Sequence, residues 1–189
     1  MPKKQIVSTG PLIRHAINNN YYDYDRDNSE TMKWLMIGKN RGLTMYISFG
    51  SECFLSDEQI GEIAKGLQLS NANFIWVIRF CIMGETTMTT VEEKLSVGFL
   101  EKEKERGLII PGWTPQGKIL GHPSIGGFVS HCGWNSFMEN MDFGVSIIAM
   151  PMQFEQPVTT GLAVEAGVGV EVEKGKNGIF FLEKSWERR

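Results

Sequence analysis

Residues 113–156 read WTPQGKILGHPSIGGFVSHCGWNSFMENMDFGVSIIAMPMQFEQ, and polar and aromatic residues recur in this segment where a simple core would have aliphatic ones. Within it, the apolar run 127–129 leads through residues 130–136 into a helix-compatible stretch, 137–143. A strand that passes through a turn of small residues into a helix directs backbone N–H groups and the helix dipole at an anion. The segment therefore predicts an α/β fold that binds the phosphates of a nucleotide.

Short apolar runs and amphipathic stretches alternate on both sides of this segment. The predicted strands are residues 44–49, 74–78, 108–110, 128–129, 145–150 and 168–172. The predicted helices are residues 56–70, 92–106, 115–120, 137–143 and 158–166. Ser56 and Gln59 have the spacing of a capping box. Continuous apolar strands alternating with helices predict an α/β parallel sheet covered by helices on both faces.

The first 42 residues differ from the rest of the chain. They are polar and rich in Asn and Tyr at 18–28, and only residues 32–37 have the pattern of a helical turn that docks on the body. We expect residues 1–42 to be a lead-in and residues 43–189 to form the domain. The run 101–106 alternates in charge, which is typical of a solvated helix face.

Composition limits the classes of partner. The chain has 189 residues, of which 42% are hydrophobic and 22% charged, and its formal net charge is −3. This charge provides no general attraction to nucleic acid or anionic membranes, so we expect neither as a partner. Three scattered cysteines favour a reducing compartment, and the sequence lacks the ~18-residue apolar run of a membrane span and a signal-peptide pattern. We therefore expect a cytoplasmic protein.

The candidate binding residues follow the predicted strands. Ligands of parallel sheets bind at the carboxyl ends of the strands. The loops at those ends carry Gly50-Ser51, residues 113–116, residues 131–136 and Glu155-Gln156. We expect these four groups to share one crevice.

Each candidate also has a plainer interpretation. Trp113 is either a core side chain or a flat platform for a base, and His131 is either structural or a donor to phosphate. Gly133, Asn135 and Ser136 are typical of a helix cap, and capping and phosphate binding use the same backbone N–H groups.

The acidic candidates are also open to two interpretations. Glu139 lies one helical turn beyond Asn135 and Ser136, so it is either a surface residue or an acceptor for ribose hydroxyls. Glu155 and Gln156 are a carboxylate and an amide side by side, a pair that can bind adjacent sugar hydroxyls.

A metal site is a further alternative. His131, Cys132 and Glu139 match no standard zinc spacing. Asp23 and Asp25 form an Asp-x-Asp pair that would suit a divalent cation on a nucleotide diphosphate, although no apolar strand precedes them. The sequence contains no P-loop and no complete dinucleotide fingerprint. We expect no metal and no cofactor.

Taken together, these residues resemble the signature box of plant UDP-dependent glycosyltransferases. The matching landmarks are Trp113, Pro115-Gln116, Leu120, His122, Gly127, residues 131–136, Glu139, Gly144-Val145, Pro151 and Gln156. The resemblance extends to residues 48–51, 74–79 and 98–100. The sequence ISFGSECFLSDEQ is similar to that of the enzymes in one branch of this family, which add a sugar to a sugar already attached to a flavonoid or terpenoid.

The resemblance implies a GT-B enzyme, which is made of two Rossmann-like domains, and this chain resembles the C-terminal, donor-binding one. By this resemblance Trp113 stacks on uracil, Gln116 holds the nucleoside and Glu139 accepts hydrogen bonds from the ribose. The implied contacts to the diphosphate are His131, Asn135, Ser136 and Ser51, with Gly133 letting backbone approach. The implied contacts to the sugar are Trp134, Glu155 and Gln156.

The implied reaction is an inverting transfer of a sugar to a hydroxyl of a small plant metabolite or its glycoside. The donor that the resemblance implies is UDP-glucose. By the resemblance, a Gln at position 156 usually accompanies a glucose donor in this family. Two residues depart from the family: Glu155 replaces the usual Asp, and Ser146 replaces a common Pro. The acceptor-binding half and its catalytic histidine have no counterpart in this sequence, so we expect this chain alone to be nearly inactive. A stand-alone nucleotide-sugar binding module and a metal-dependent transferase are the alternatives.

Overall fold

The computed structural model describes residues 29–37, 41–51, 54–79 and 90–175. The strands are β1 (Thr44–Ser48), β2 (Asn73–Ile78), β3 (Gly107–Pro111), β4 (Ile125–Ser130), β5 (Ser146–Ala149) and β6 (Gly169–Glu171). The helices are α1 (Ser29–Met36), α2 (Asp57–Ser70), α3 (Val91–Lys94), α4 (Val97–Glu103), α5 (Gln116–Leu120), α6 (Trp134–Phe143) and α7 (Gln156–Glu165).

The six strands form one parallel sheet in the order β3-β2-β1-β4-β5-β6. The chain builds outward from β1 through β2 to β3 and then returns to place β4 on the other side of β1. The loops that follow β1 and β4 therefore leave the sheet in opposite directions and open a crevice between them, which is where ligands of such sheets bind.

Apolar side chains pack on both faces of the sheet, as the continuous apolar strands predict. Ile47 and Trp76 belong to the cluster on one face, where α2 packs. Tyr46 and Ile75 belong to the cluster on the other face. Since neighbouring residues of a strand point to opposite faces, this division confirms the predicted α/β sheet covered on both sides.

Helix α1 packs on the body of the domain, as predicted for residues 32–37. Leu35 is fully buried in the cluster that contains Tyr46 and Phe128. The Ser124 hydroxyl lies 3.5 Å from the Leu35 carbonyl oxygen and donates to it. Among the described residues, no helix combines the length and apolar character needed to cross a membrane.

The predicted capping box of α2 is present. The Gln59 backbone N–H donates to the Ser56 hydroxyl at 3.3 Å, and the Ser56 N–H donates to the Gln59 side chain at 2.9 Å. The helix ends at Asn71, which adopts the left-handed conformation with φ 51°. Both ends of α2 are therefore set by local sequence.

The prediction of one helix over residues 92–106 is wrong. The segment forms two short helices, because Leu95 is extended and buried and Ser96 caps a new helix through the Phe99 N–H. The prediction of a solvated face over residues 101–106 is wrong at two positions. Glu103 is only 2% exposed, and its carboxylate pairs with Arg106 at 2.5 Å.

Two helices near the proposed site begin earlier than predicted. Helix α6 begins at Trp134 instead of residue 137, with Gly133 as its N-cap. Helix α7 begins at Gln156 instead of residue 158, and Pro157 stands in its first turn, where its missing N–H is not needed. Candidate residues 134–136 and 156 therefore lie on helical first turns and not in loops.

Candidate functional site

A crevice of about 330 Å³ lies at the carboxyl ends of β1, β4 and β5. The residues that line it are Gly50, Ser51, His131, Gly133, Trp134, Asn135, Ser136, Gln153, Phe154, Glu155 and Gln156. Three of the four loops predicted to converge therefore meet in one cavity. Gln153 and Phe154 are the lining residues that the sequence analysis missed, although they share a loop with Glu155.

The middle of the crevice is formed by the start of α6. Its N-cap is Gly133, which has no side chain with which to cap the N–H groups of the first turn. Asn135 is exposed and Ser136 is buried, and both line the crevice. A ten-residue helix whose first N–H groups open into a polar crevice favours an anionic ligand there.

His131 lies directly before this helix and is partly buried. Burial lowers the pKa of its imidazole below the ordinary value, while the charge of Glu155 acts in the opposite direction. The imidazole is therefore neutral at pH 7, and a neutral ring with one N–H is a hydrogen-bond donor and not a fixed cation.

Cys132 follows His131 in a left-handed conformation, with φ 62°. Its thiol is free and buried, and burial raises its pKa. Within residues 29–37, 41–51, 54–79 and 90–175, no three His, Cys, Asp or Glu side chains come together to hold a metal ion. Asp23 and Asp25 lie outside the described residues.

A second group of candidates extends from one end of the crevice. The Gln116 side-chain amide donates to the Glu139 carboxylate at 2.9 Å and to the Ser136 hydroxyl at 3.3 Å. Glu139 thus lies on the same side of α6 as Ser136, as predicted from their spacing. Because Ser136 also lines the crevice, it joins the two groups into one continuous surface.

Trp113 precedes Gln116 by three positions in the sequence and is not a core residue, since it is 57% exposed. It is not one of the residues that line the crevice. Hydrogen bonds hold its loop on both sides of Trp113. The Arg79 side chain donates to the Gly112 carbonyl oxygen at 3.1 Å. On the other side of Trp113, the buried hydroxyls of Tyr46 and Thr114 hydrogen bond at 2.8 Å. The exposed indole therefore projects from an anchored loop.

These anchoring residues were missed by the sequence analysis. The available signal was Tyr46 itself, since a tyrosine within a buried strand needs a partner for its hydroxyl. Burial raises the pKa of the Tyr46 phenol. The partner Thr114 is 68 residues away in sequence, so only the sheet brings the two together.

The far end of the crevice is the loop between β5 and α7. Gln156 is 4% exposed, and its side-chain oxygen accepts from the N–H groups of Met152 at 2.8 Å and Gln153 at 2.9 Å. Glu155 and Phe154 are exposed, and Phe154 adopts φ 56°, a left-handed conformation rare for a bulky side chain. Gln156 therefore shapes the loop that presents Glu155 to the crevice.

The chain is similar to known proteins along most of its length. Residues 25–177 match the model of the family described as UDP-glucoronosyl and UDP-glucosyl transferase. The chain is 49% identical over 175 residues to mogroside IIIx synthase of Siraitia grosvenorii, covering 93% of this chain and 36% of that protein. It is 44% identical over 178 residues to a beta-D-glucosyl crocetin beta-1,6-glucosyltransferase of Gardenia jasminoides, covering 94% and 38%.

The fold is also similar to a solved structure, that of Phytolacca americana UGT2 complexed with UDP-2fluoro-glucose and pterostilbene. The TM-score is 0.74 and the identity 35%, over 84% of this chain and 34% of the other. The chain thus spans little more than a third of the length of these proteins.

Proposed function

The chain belongs to the UDP-glucoronosyl and UDP-glucosyl transferase family, and on that premise we propose that it binds the UDP-sugar donor of an inverting glycosyltransferase. The observation that carries the proposal is the first turn of α6, which has a glycine as its N-cap and opens into the crevice beside His131. Orphan N–H groups and a helix dipole suit a diphosphate. Ser51 and Asn135 line the same crevice and add side-chain donors.

The nucleoside would lie on the surface formed by Trp113, Gln116 and Glu139. An exposed indole on an anchored loop is a platform on which uracil can stack. The Glu139 carboxylate, which now accepts from the Gln116 amide, would accept from the ribose hydroxyls. Ser136 connects this surface to the crevice. The base, the ribose and the diphosphate of one ligand can therefore lie next to one another along it.

The sugar would occupy the far end of the crevice, against Trp134 and Glu155. Both side chains line the cavity and are exposed to it. Gln156 would act there through its amide group and by holding the loop. Glucose is the sugar that we propose, since Gln at this position is the family's usual glucose signal and the Gardenia relative is a glucosyltransferase by name.

In the proposed reaction an acceptor hydroxyl loses its proton to a base, its oxygen attacks the anomeric carbon, and the bond from that carbon to the diphosphate breaks as UDP leaves. The residues of this chain would bind and orient the donor and stabilise the charge that grows on the diphosphate. The base would belong to the acceptor-binding part of the intact protein. The proposed acceptor is a hydroxyl of a small plant metabolite or its glycoside, and the expected compartment is the cytosol.

Titration calorimetry tests the donor site. We expect UDP and UDP-glucose to bind the wild-type chain, with UDP-galactose weaker. Trp113→Ala should cost about 1 to 3 kcal/mol of UDP affinity through lost stacking. Gln156→His should narrow the difference between the two sugars. Leu69→Ala removes an exposed apolar side chain of α2, far in sequence from the site, and should leave affinity unchanged.

Several outcomes would redirect the proposal. If UDP does not bind the wild-type chain, or binds Trp113→Ala equally well, the donor site lies elsewhere. If EDTA abolishes UDP binding, the metal-dependent alternative that uses Asp23 and Asp25 is favoured. A transcript that encodes no acceptor-binding half would favour a stand-alone nucleotide-sugar binding module.

A further inference from the structure

The orientation of the His131 ring has no hydrogen-bond explanation within the part of the chain that the structure describes. Its Nδ1 atom is buried and has no hydrogen-bond partner there. A histidine that presents one ring nitrogen to a ligand is ordinarily held by a hydrogen bond at the other. Some other contact must therefore fix this ring.

Two glycines from different elements approach the ring closely. A Cβ atom built on Gly50, in the loop after β1, would lie 2.8 Å from Cε1 of His131. A Cβ atom built on Gly133, at the start of α6, would lie 2.7 Å from Nε2. Non-bonded carbon atoms prefer about 3.5 to 4.0 Å, so any side chain at either position would displace the ring.

The two glycines differ in whether their backbone conformation itself requires glycine. Gly50 has φ 73°, a conformation that favours glycine whatever surrounds it. Gly133 has φ −62° and ψ 148°, which any residue adopts. At position 133, therefore, the backbone conformation does not require glycine, whereas the approach of the His131 ring does.

We propose that Gly50 and Gly133, the glycine pair, are positioning residues that hold the His131 imidazole with Nε2 toward the diphosphate. The inference deepens the proposed donor site and rests on it. The glycine pair replaces the missing hydrogen bond at Nδ1, because close packing restricts the ring to one orientation. The neutral ring then donates from Nε2–H, and its direction is set before the ligand arrives.

A double-mutant cycle on the 189-residue chain isolates this role. We expect Gly133→Ala to weaken UDP binding about tenfold, a loss typical of a displaced binding group. In the His131→Ala background, where no ring remains to be displaced, Gly133→Ala should change UDP affinity by less than about twofold. Gly61→Ala is the control, because a Cβ at Gly61 in α2 meets nothing within 4 Å. Equal losses in both backgrounds would overturn the proposal.

A second measurement needs no ligand and so separates this proposal from the donor site. The pKa of His131, followed through its ring-proton NMR signals, should move toward its ordinary value in Gly133→Ala as the ring is pushed toward solvent. Besides His131, the only titratable side chain among the crevice-lining residues is Glu155, and Glu155→Gln serves as the reference for its charge. An unchanged titration in folded Gly133→Ala would contradict the positioning role even if UDP never binds.

Discussion

At the residue scale, the Tyr46–Thr114 hydrogen bond offers a direct test of how the Trp113 loop is held. Tyr46→Phe leaves the buried Thr114 hydroxyl without its partner, which should cost about 1 to 3 kcal/mol of unfolding free energy. It should also weaken UDP binding, because the loop that carries Trp113 loses the hydrogen bond that holds it at Thr114. Urea unfolding and calorimetry measure the two effects.

The double variant Tyr46→Phe/Thr114→Val is the matched control. Replacing both hydroxyls by apolar groups of similar shape removes the unsatisfied partner, so most of the stability lost in Tyr46→Phe should return. UDP affinity should remain low, because the anchor is still absent. If the double variant is no more stable than the single one, the hydroxyl pair does not account for the loss.

The pKa of His131 predicts a pH dependence of stability. Because burial lowers this pKa in the folded chain, the unfolded chain binds the proton more readily. The unfolding free energy should therefore be unaffected well above the ordinary value of 6.5, fall as the pH drops through it, and level off below the folded-state pKa. Urea unfolding of wild type and His131→Gln between pH 8 and about 5 checks this. Parallel curves for the two proteins would contradict the assignment.

At the element scale, the pair Glu103–Arg106 connects the end of α4 to the end of α2. The Arg106 guanidinium pairs with Glu103 and donates to the carbonyl oxygens of Ala72 at 2.6 Å and of Leu67 at 2.9 Å. The Arg106 guanidinium also stands 5.7 Å from the centroid of the Phe74 ring on β2. One partly buried arginine therefore holds two helices and a strand together.

Removing this arginine should destabilise the fold strongly. Arg106→Met leaves the Glu103 carboxylate buried without its Arg106 partner, which should lower the unfolding free energy by about 3 to 5 kcal/mol. Urea unfolding measures the loss. Lys104→Met breaks the exposed Lys104–Glu101 pair in the same segment and should cost less than about 1 kcal/mol. If the two variants lose equal stability, the pair Glu103–Arg106 is no more than a surface contact.

The elements that could be predicted are those whose signals are local. The strands follow from short apolar runs, and α2 follows from Ser56, Gln59 and its apolar stripe. The break at Ser96 was missed because the charged residues on either side of it, at 92–94 and 101–106, were taken for one helix. The burial of Glu103 was missed because its partner Arg106 is itself held by the carbonyl oxygens of Leu67 and Ala72, which are distant in sequence. Burial of a charge depends on tertiary partners, which a local pattern does not contain.

The site was predictable in position more than in detail. A parallel sheet brings the loops at the carboxyl ends of its strands to one edge, so a crevice there could be expected once the strands were predicted to be parallel. The first turn of α6 was taken for a loop because Trp134 and Asn135 are not strong helix formers. The contact of Gly50 with His131 joins residues that are 81 positions apart (131 − 50), and no local sequence pattern encodes it.

At the scale of the whole molecule, the described residues form the proposed donor site, and the proposed base would belong to another part of the intact protein. The chain spans little more than a third of the length of its relatives. Its crevice collects helix N–H groups, a neutral histidine and hydroxyl and amide donors, which are groups that bind and orient. Deprotonation of an acceptor hydroxyl requires a base positioned against the acceptor.

We therefore expect the chain alone to bind UDP-glucose and to release UDP from it very slowly when a flavonoid glucoside is added. Loss of a general base typically lowers the rate about 10²- to 10⁴-fold. UDP release is the measurement, with a full-length member of the family as the positive control in the same assay. If the chain binds UDP-glucose without turnover, the result supports the proposal that donor binding and base catalysis belong to different parts of the enzyme. Turnover at the rate of the full-length control would place the base within these 189 residues and overturn it.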